Sequence, residues 1–502
     1  MPCRSLTRVI ALIPLLILTG CLLGPKYHPP TSPTAQAPNY KESTVNFQAA
    51  PGWKVANPQE GMLRGNWWEV FKDPQLNALE AQLEINNQNL KLYFQNLLQA
   101  RALVAQARSM YWPTVTLAPS WNRAKSSGTL TNSSFANAGF TSTFIQFPVD
   151  VSWTPDFWGK IRNEVRFEQY SAQVSAADLE VEKLTEETTL AQLYFEIRGQ
   201  DALEKVLQQT VAADQNILDL TQALYDTGID DYSAVVGAKA TLQSAQTSLL
   251  DVGIARAQYE HAIAVLLGRV ATDFSIATSP LLTTPPPIPT GVPAQLLERR
   301  PDVAATERTL AAANATIGIG YGAFFPDVTI SASGGFESST FPKLFHWPSR
   351  FWSIGPSISQ VIFNAGLYRA ELNQYTAIYN ADLATYRQTV LTAFQQVEDD
   401  LAATRIYSQE VLTEQAAVNS AQQLLDLETA RYQTGLDPYI SVLTAQATLL
   451  VDQETLVALH IDIMVSAVNL IEALGGGWDL SQLPTPSQVT QKVPAADYKL
   501  QR

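Results

Sequence analysis

The chain is short of almost everything a catalytic or metal site is made from. It has two cysteines and four histidines in 502 residues, widely spread, so no zinc, haem or iron–sulfur spacing is present and no metal or cofactor is expected. Neither a paired-histidine motif nor a serine-centred elbow occurs, which leaves an enzymatic reading without support. Basic residues are scarce too: 33 Lys and Arg stand against 47 Asp and Glu, a net charge of −14. A nucleic-acid partner needs a cationic face, and nothing here resembles one. The last scarcity is local. Leu76 to Tyr111 has neither Gly nor Pro, only Gly159 and Gly199 interrupt Phe157 to Tyr225, and neither residue occurs between Gly366 and Tyr432. The first stretch carries apolar residues at helical spacing (Leu79, Leu83, Leu90, Phe94) and reads as one helix of about 50 Å. The other two read as helices of about 100 Å, which must pack laterally along their length, as in a coiled coil.

What is present is a turn that occurs twice. Tyr225-Asp-Thr-Gly-Ile-Asp-Asp-Tyr232 and Tyr432-Gln-Thr-Gly-Leu-Asp-Pro-Tyr439 stand 207 residues apart. The same shift pairs Val235 with Val442, Leu267-Gly268 with Leu474-Gly475, and Gly159 with Gly366. Each half has the order helix, strand, strand, helix, helix, an internal duplication. Gly228 and Gly435 suit the left-handed position just past a helix end. Asp230 and Asp437 are placed to cap the next helix, and Pro438 fits its first position. Each copy is therefore expected to join two antiparallel helices, with Asp231 the acidic residue most available for a constriction or a partner contact.

Four stretches switch from helical spacing to strict alternation: about 114–123, 143–154, 327–336 and 351–362. In the second, Ile145, Phe147, Val149, Val151 and Trp153 alternate with Gln146, Pro148, Asp150, Ser152 and Thr154. A soluble sheet on a helical core explains alternation as well as a membrane barrel does. The polar set is almost entirely small, however, and the apolar set carries Trp121, Trp153 and Trp352, which favours lipid on one side and water on the other. Pro148 and Pro356 are awkward for either reading. Four strands cannot close a barrel, and an open edge is not tolerated in lipid, so the membrane reading requires several chains. Three would supply twelve strands.

Residues 1–20 read as an export signal: Arg4 and Arg8, then an apolar run from Val9 to Leu18 too short to span a bilayer. Leu18-Thr-Gly-Cys21 resembles a lipoprotein cleavage site, with Cys21 acylated and Leu22 in place of an inner-membrane retention signal. Residues 21–65 form the anchor and an extended tether rich in proline. The first repeat covers 66–280, a Pro-rich connector 281–293, the second repeat 294–478, and a tail 479–502.

These features together resemble the TolC/OprM-type outer-membrane channel family, in its lipoprotein (NodT-like) branch. The residues that carry the resemblance are Gly291-Val-Pro-Ala-Gln-Leu-Leu-Glu-Arg-Arg-Pro-Asp-Val303, Ala311-Ala-Ala-Asn314, Phe324-Phe-Pro326, Gly24-Pro-Lys-Tyr27, Arg431-Tyr432-Gln-Thr-Gly435 and Val442-Leu443-Thr-Ala-Gln446. The resemblance implies a mainly-α homotrimer whose strands form a shared twelve-stranded outer-membrane barrel, continued by a periplasmic α-helical tunnel. It implies a passive conduit exporting small toxic molecules, fed by a periplasmic adaptor and an inner-membrane pump, with an RND-type pump expected. The turns at Tyr225, Gly228, Asp230, Asp231, Arg431, Tyr432, Gly435 and Asp437 then become the tip where the adaptor docks. Some members narrow the entrance with acidic residues one turn past the tip glycine; here Ser441 and Thr444 stand at that level as the candidate gate. A type I protein-secretion conduit of the same fold is the alternative within transport. A non-conducting lipoprotein spacer is the alternative outside it, disfavoured by small polar residues that suit an open lumen.

Overall fold

The computed structural model describes residues 22–30, 40–42, 65–127, 141–288 and 299–494; Cys21 and residues 291–298 of the motif above lie outside them. The chain runs through α1 (Pro74–Asn86), α2 (Gln88–Ser109), β1 (Thr114–Leu117), β2 (Ser120–Lys125), β3 (Thr141–Trp153), α3 (Lys160–Asp226) and α4 (Tyr232–Leu266). It then repeats as α5 (Pro301–Gly322), β4 (Asp327–Ser338), β5 (Arg350–Ser359), α6 (Leu367–Gln433) and α7 (Tyr439–Ala473). The duplication is exact in the long hairpins: 67 residues out and 35 back in both halves, every boundary displaced by 207.

The single helix expected over 76–111 is two. The chain leaves helical geometry at Asn87 (ψ 131°), whose side chain accepts a hydrogen bond from the Leu90 amide at 2.9 Å. Its amide nitrogen donates to the Leu266 carbonyl at 2.9 Å and to Glu186 at 3.1 Å. A buried carboxamide bonded at both ends does here what a glycine or proline usually does, so the apolar spacing runs straight through the break without marking it.

The strands form one antiparallel sheet, ordered β1–β3–β4–β5, with β2 also on β3. β1 and β2 keep one register against β3 (Leu117 opposite Val149, Ser120 opposite Gln146) and are a single strand interrupted at Ala118–Pro119. Pro119 has no N–H to donate, while the Ala118 amide still reaches the Pro148 carbonyl at 3.3 Å. The sheet therefore has the four expected strands. Register fixes its faces: Val115, Val151, Ala332 and Ile354 form one row, and the next row on the other face is Thr116, Asp150, Ser333 and Ser353. Phe144, opposite Asn122, is an exception on the polar face. A sheet that lay on a soluble core would cover its apolar face. Here Trp352 is 80% exposed and Ile354 69%, so the apolar face is bare except at one end, where Ile145 is buried and Phe345 packs on the Phe147 and Phe336 rings.

The core lies at mid-height, where α1, α3 and α7 meet around Trp67, Phe71, Leu76, Leu190, Phe195, Met464 and Ile471. Several polar groups buried there are paired, although among the described residues both carboxyl oxygens of the fully buried Glu80 have no hydrogen-bond partner. Arg198 holds Asp201 at 2.6 Å and the Ala277 carbonyl at 2.8 Å. Trp67 donates its indole N–H to Glu187 at 3.0 Å. Burial pushes the Glu187 carboxyl up to about 7, with Lys183 pulling it back. α7 is long and apolar enough to cross a membrane, but its most apolar stretch is 50% buried in the chain's own body.

The described parts of the N-terminal tether and of the C-terminal tail lie against the body. The Leu23 amide donates to the Trp158 carbonyl at 3.3 Å, and Asn163 donates to the Leu23 carbonyl at 3.0 Å. Further on, the Lys41 and Glu42 amides both donate to Glu398. In the tail, Gln173 donates to the Pro484 carbonyl at 2.7 Å, and Val489 is buried with Ala100, Val104 and Ala172.

Candidate functional site

The α3–α4 and α6–α7 hairpins close with the same backbone bonds. The Gly228 and Gly435 amides donate to the Tyr225 and Tyr432 carbonyls at 2.9 Å, and the Ile229 and Leu436 amides to the Leu224 and Arg431 carbonyls at 2.9 Å. This is the Schellman arrangement. It holds both glycines in the left-handed region, at φ 78° and 72°, where a Cβ costs energy.

The acidic residues take different places from those expected. Asp231, not Asp230, caps α4: its carboxylate accepts from the Ser233 amide at 2.8 Å and the Ala234 amide at 3.2 Å. The Ser233 hydroxyl donates to the same oxygen, and these bonds hold the Asp231 carboxyl below its ordinary range. A cap must stand directly before the first helical residue to reach the free amides, and Asp230 is one residue too early. Asp230 instead accepts from the Tyr432 hydroxyl at 2.5 Å, which joins the two hairpins. No side chain caps α7. Pro438 holds the capping position itself, not the first helical one, and Asp437 pairs with Arg431 at 2.5 Å.

Around these turns the hairpins share a small apolar core of Ile217, Ala234, Ala238, Tyr432, Tyr439 and Val442. Tyr432 is 3% exposed, and its hydroxyl also lies 3.3 Å from the Thr221 hydroxyl. Burial, with Asp230 beside it, pushes the phenol up to about 12. Two turns of helix further from the tip, Gln446 donates to the buried Asp214 at 2.9 Å, and burial raises that carboxyl to about 6. Tyr225 and Tyr232 repeat the Tyr432–Tyr439 ring pair, with centroids 5.6 and 5.8 Å apart respectively, but stand 40% and 62% exposed.

Ser441 and Thr444 are set apart from this joint. With Leu424, Glu428, Ile440, Ala445 and Thr448 they line a groove of about 280 Å³ on the flank of the α6–α7 hairpin. The sequence reading missed Thr221, Asp214, Gln446 and Glu428, which become visible only once the hairpins are side by side. It also passed over Ile229 and Leu436, 64% and 74% exposed at the extreme ends of the hairpins. A signal for these two was available, because they are equivalent under the repeat and both apolar where a turn is usually polar.

Paired long hairpins ending in bare tips, joined to an antiparallel sheet with an uncovered apolar face, define an outer-membrane channel with a periplasmic helical extension. The chain belongs to the outer membrane efflux protein family, whose model matches residues 79–269 and 292–476. It is 32% identical over 474 residues, 93% of this chain and 98% of the relative, to the solvent efflux pump outer membrane protein SrpC of Pseudomonas putida. It is 26% identical over 480 residues, 95% and 99% of the two chains, to the cation efflux system protein CusC of Escherichia coli. Among solved structures, the outer-membrane channel OprN superposes with a TM-score of 0.82 at 26% identity, covering 91% of this chain and 100% of that one. The chain is an outer-membrane efflux channel, and the protein-secretion alternative gains no support from these relatives.

Proposed function

We propose that three copies pool their strands into a twelve-stranded barrel and their hairpins into a tunnel whose tip receives a periplasmic adaptor. The bare apolar face of the sheet carries this reading: β1/β2 and β5 are open edges, and in lipid such edges must pair with another chain. An inner-membrane pump, of RND type, supplies the energy. The cargo is small toxic molecules, the class to which the solvents named in SrpC belong. Ile229 and Leu436, exposed on the ends of both hairpins, offer the adaptor apolar knobs. Cys21 carries the lipid: Leu23, two residues after it, is hydrogen-bonded to Trp158 and Asn163 at the junction of sheet and helices, the height at which an acyl chain reaches the membrane. Photo-cross-linking in cells from positions 229 and 436 tests the docking site. Capture of one periplasmic protein that co-purifies with a pump supports it, and capture of nothing at normal channel levels refutes it. Cys21→Ser should abolish lipid labelling while the strands keep the protein in the outer membrane. Release into the periplasm refutes the barrel.

A further inference from the structure

The charge of the chain is reversed at the end of the sheet farthest from the helices. The whole chain carries 47 acidic residues against 33 basic ones, yet 118–148 holds no Asp or Glu and 334–354 holds only Glu337. The same stretches hold Arg123, Lys125, Lys343 and Arg350. Register decides where three of these stand. Trp121, Arg123 and Lys125 lie opposite Ile145, Thr143 and Thr141, and Arg350 lies opposite Phe336, itself opposite Phe147. Alternation places all of them on the apolar face of Val149 and Trp352, while Glu337, opposite Gln146, stands on the polar face. The β4–β5 loop, which carries Lys343, is drawn to that same apolar face. Its Phe345 packs edge-on against the Phe147 and Phe336 rings, with centroids 5.6 and 5.5 Å away. Arg350 is held in place: its guanidinium lies over the Trp347 ring, 3.0 Å from the centroid, and its Nε donates to the Trp347 carbonyl at 2.9 Å. All four basic residues are exposed, and among the described residues none of them belongs to an ion pair.

Resting on the barrel proposed above, we propose that Arg123, Lys125, Lys343 and Arg350 form an outward crown that binds the phosphates of the phosphorylated glycolipid in the outer leaflet. Height supports this. Thr143, opposite Arg123, is six residues along β3 from Val149, about 20 Å at the rise of a strand. Tilt leaves about 15 Å of that as height, more than half of an apolar band about 25 Å tall. With Val149 near the middle of the band, the crown stands at the headgroups, just above the exposed Trp121 and Trp352 of the aromatic belt. What an outward face meets at that height is lipid. Guanidinium forks take phosphate oxygens in pairs, and a lysine adds a point charge. The open edges sharpen the argument. Every pairing in the sheet is antiparallel, so β2 and β5 run in opposite senses. Joining copies edge to edge therefore brings Arg123 and Lys125 of one copy to the same outer end of a seam as Arg350 of the next. Like charges placed across a strand pair repel. A phosphate between them turns that repulsion into a bridge, so the lipid fastens the seam as well as surrounding it.

The test titrates the delipidated full channel, in a neutral detergent, with diphosphoryl lipid A. Native mass spectrometry reads the bound lipid and the mass of the assembly in one spectrum. Arg123→Gln with Lys125→Gln, and separately Lys343→Gln with Arg350→Gln, should each weaken binding roughly thirtyfold, the usual value of two basic side chains beside an anionic lipid surface. Lys91→Gln with Lys205→Gln, exposed on the helical body, should leave binding unchanged. Lipid A stripped of its phosphates should bind the native channel as weakly as the variants bind the phosphorylated form. Millimolar inorganic phosphate should not displace the bound lipid. The two pairs are read independently, so one that fails to assemble leaves the other to decide, and the comparison of the two lipids needs no substitution at all. If both variants bind as tightly as the native channel, or the stripped lipid binds equally well, the inference falls while the assembly stands. Displacement by inorganic phosphate overturns it too, because the site would then be one for the free ion. A monomeric native mass for the unsubstituted channel overturns the barrel, and the inference with it.

Discussion

The tips of the α3–α4 and α6–α7 hairpins share the same two backbone hydrogen bonds and the same left-handed glycine, yet Tyr225 and Tyr232 stand exposed where Tyr432 and Tyr439 are buried. The turn is set by residues within it, and neither copy needs a neighbour to form. What the side chains do is set by what lies beside them. Tyr432 finds Asp230 and Thr221 across the hairpin joint, and Tyr225 finds no equivalent within its own chain. Even the carboxylates diverge under this rule. Where Leu224 precedes Tyr225, Asp230 is free for a tyrosine; where Arg431 precedes Tyr432, Asp437 is drawn back into its own turn.

The comparison breaks most visibly if the buried tyrosine turns out to carry no weight. Tyr432→Ala should cost roughly 3–5 kcal/mol, the usual toll for deleting a large buried aromatic, seen as lost hydrogen-exchange protection across 217–238. Tyr225→Ala should cost well under half as much, and equal losses would mean that the difference in exposure is without energetic consequence. The strands sharpen the opposite side, where the repeats should behave alike. Arg at Val149 in one repeat or at Ile354 in the other should each impair assembly by roughly 2–4 kcal/mol near the bilayer midplane. Arg at Ser152 or Ser357 should be tolerated and alter conductance. Damage in only one repeat, measured as folded channel in outer-membrane fractions, would refute a shared lipid face. A smaller and again equal effect is expected at the turns. Gly228→Val and Gly435→Val should each strain the backbone by about 1–3 kcal/mol and leave channel abundance normal. Drug susceptibility should nevertheless rise, because the docking end is misshapen; normal export by Gly435→Val cells would reduce the turn to a connector.

The smallest effect separates the repeats once more. Asp214 is buried and ionisable, and its counterpart Ala421 is not. The Asp214 carboxyl is raised from 3.8 to about 6, so in the open state it loses its proton first. Its contribution is fully present below the lower value and is lost as pH rises to about 6. Exchange protection near the tip should therefore fall between about pH 4 and pH 6 in the native chain and stay flat in Asp214→Asn, which keeps an acceptor for Gln446. A native profile as flat as that of the variant would show that this carboxyl does not titrate in the joint.

The long helices, the four strands with their faces, and the two turns were legible because each follows from local pattern: absent breakers, strict alternation, a glycine between two periodic runs. What escaped the reading depended on partners distant in sequence. The break at Asn87 rests on Glu186 and Leu266, the role of Asp230 rests on Tyr432, and the docked tail rests on Gln173 and Arg101. A capping aspartate can be placed from sequence to within a residue or so. At these turns that single residue is the difference between closing a helix and bonding two hairpins together.

The equal lengths of the hairpins carry one more consequence, and it concerns how such a chain can change. Both outward helices have 67 residues and both returns 35. One residue added to α3 alone advances its tip by about 1.5 Å and turns it by about 100° relative to its neighbour, enough to swing an apolar stripe into water. Compensation requires the same insertion in α6 and matching ones in α4 and α7. The molecule thus behaves as a ruler cut in duplicate: its reach can be lengthened only by matched insertions that preserve the helical phase, while loops and sheet edges remain free to drift one residue at a time.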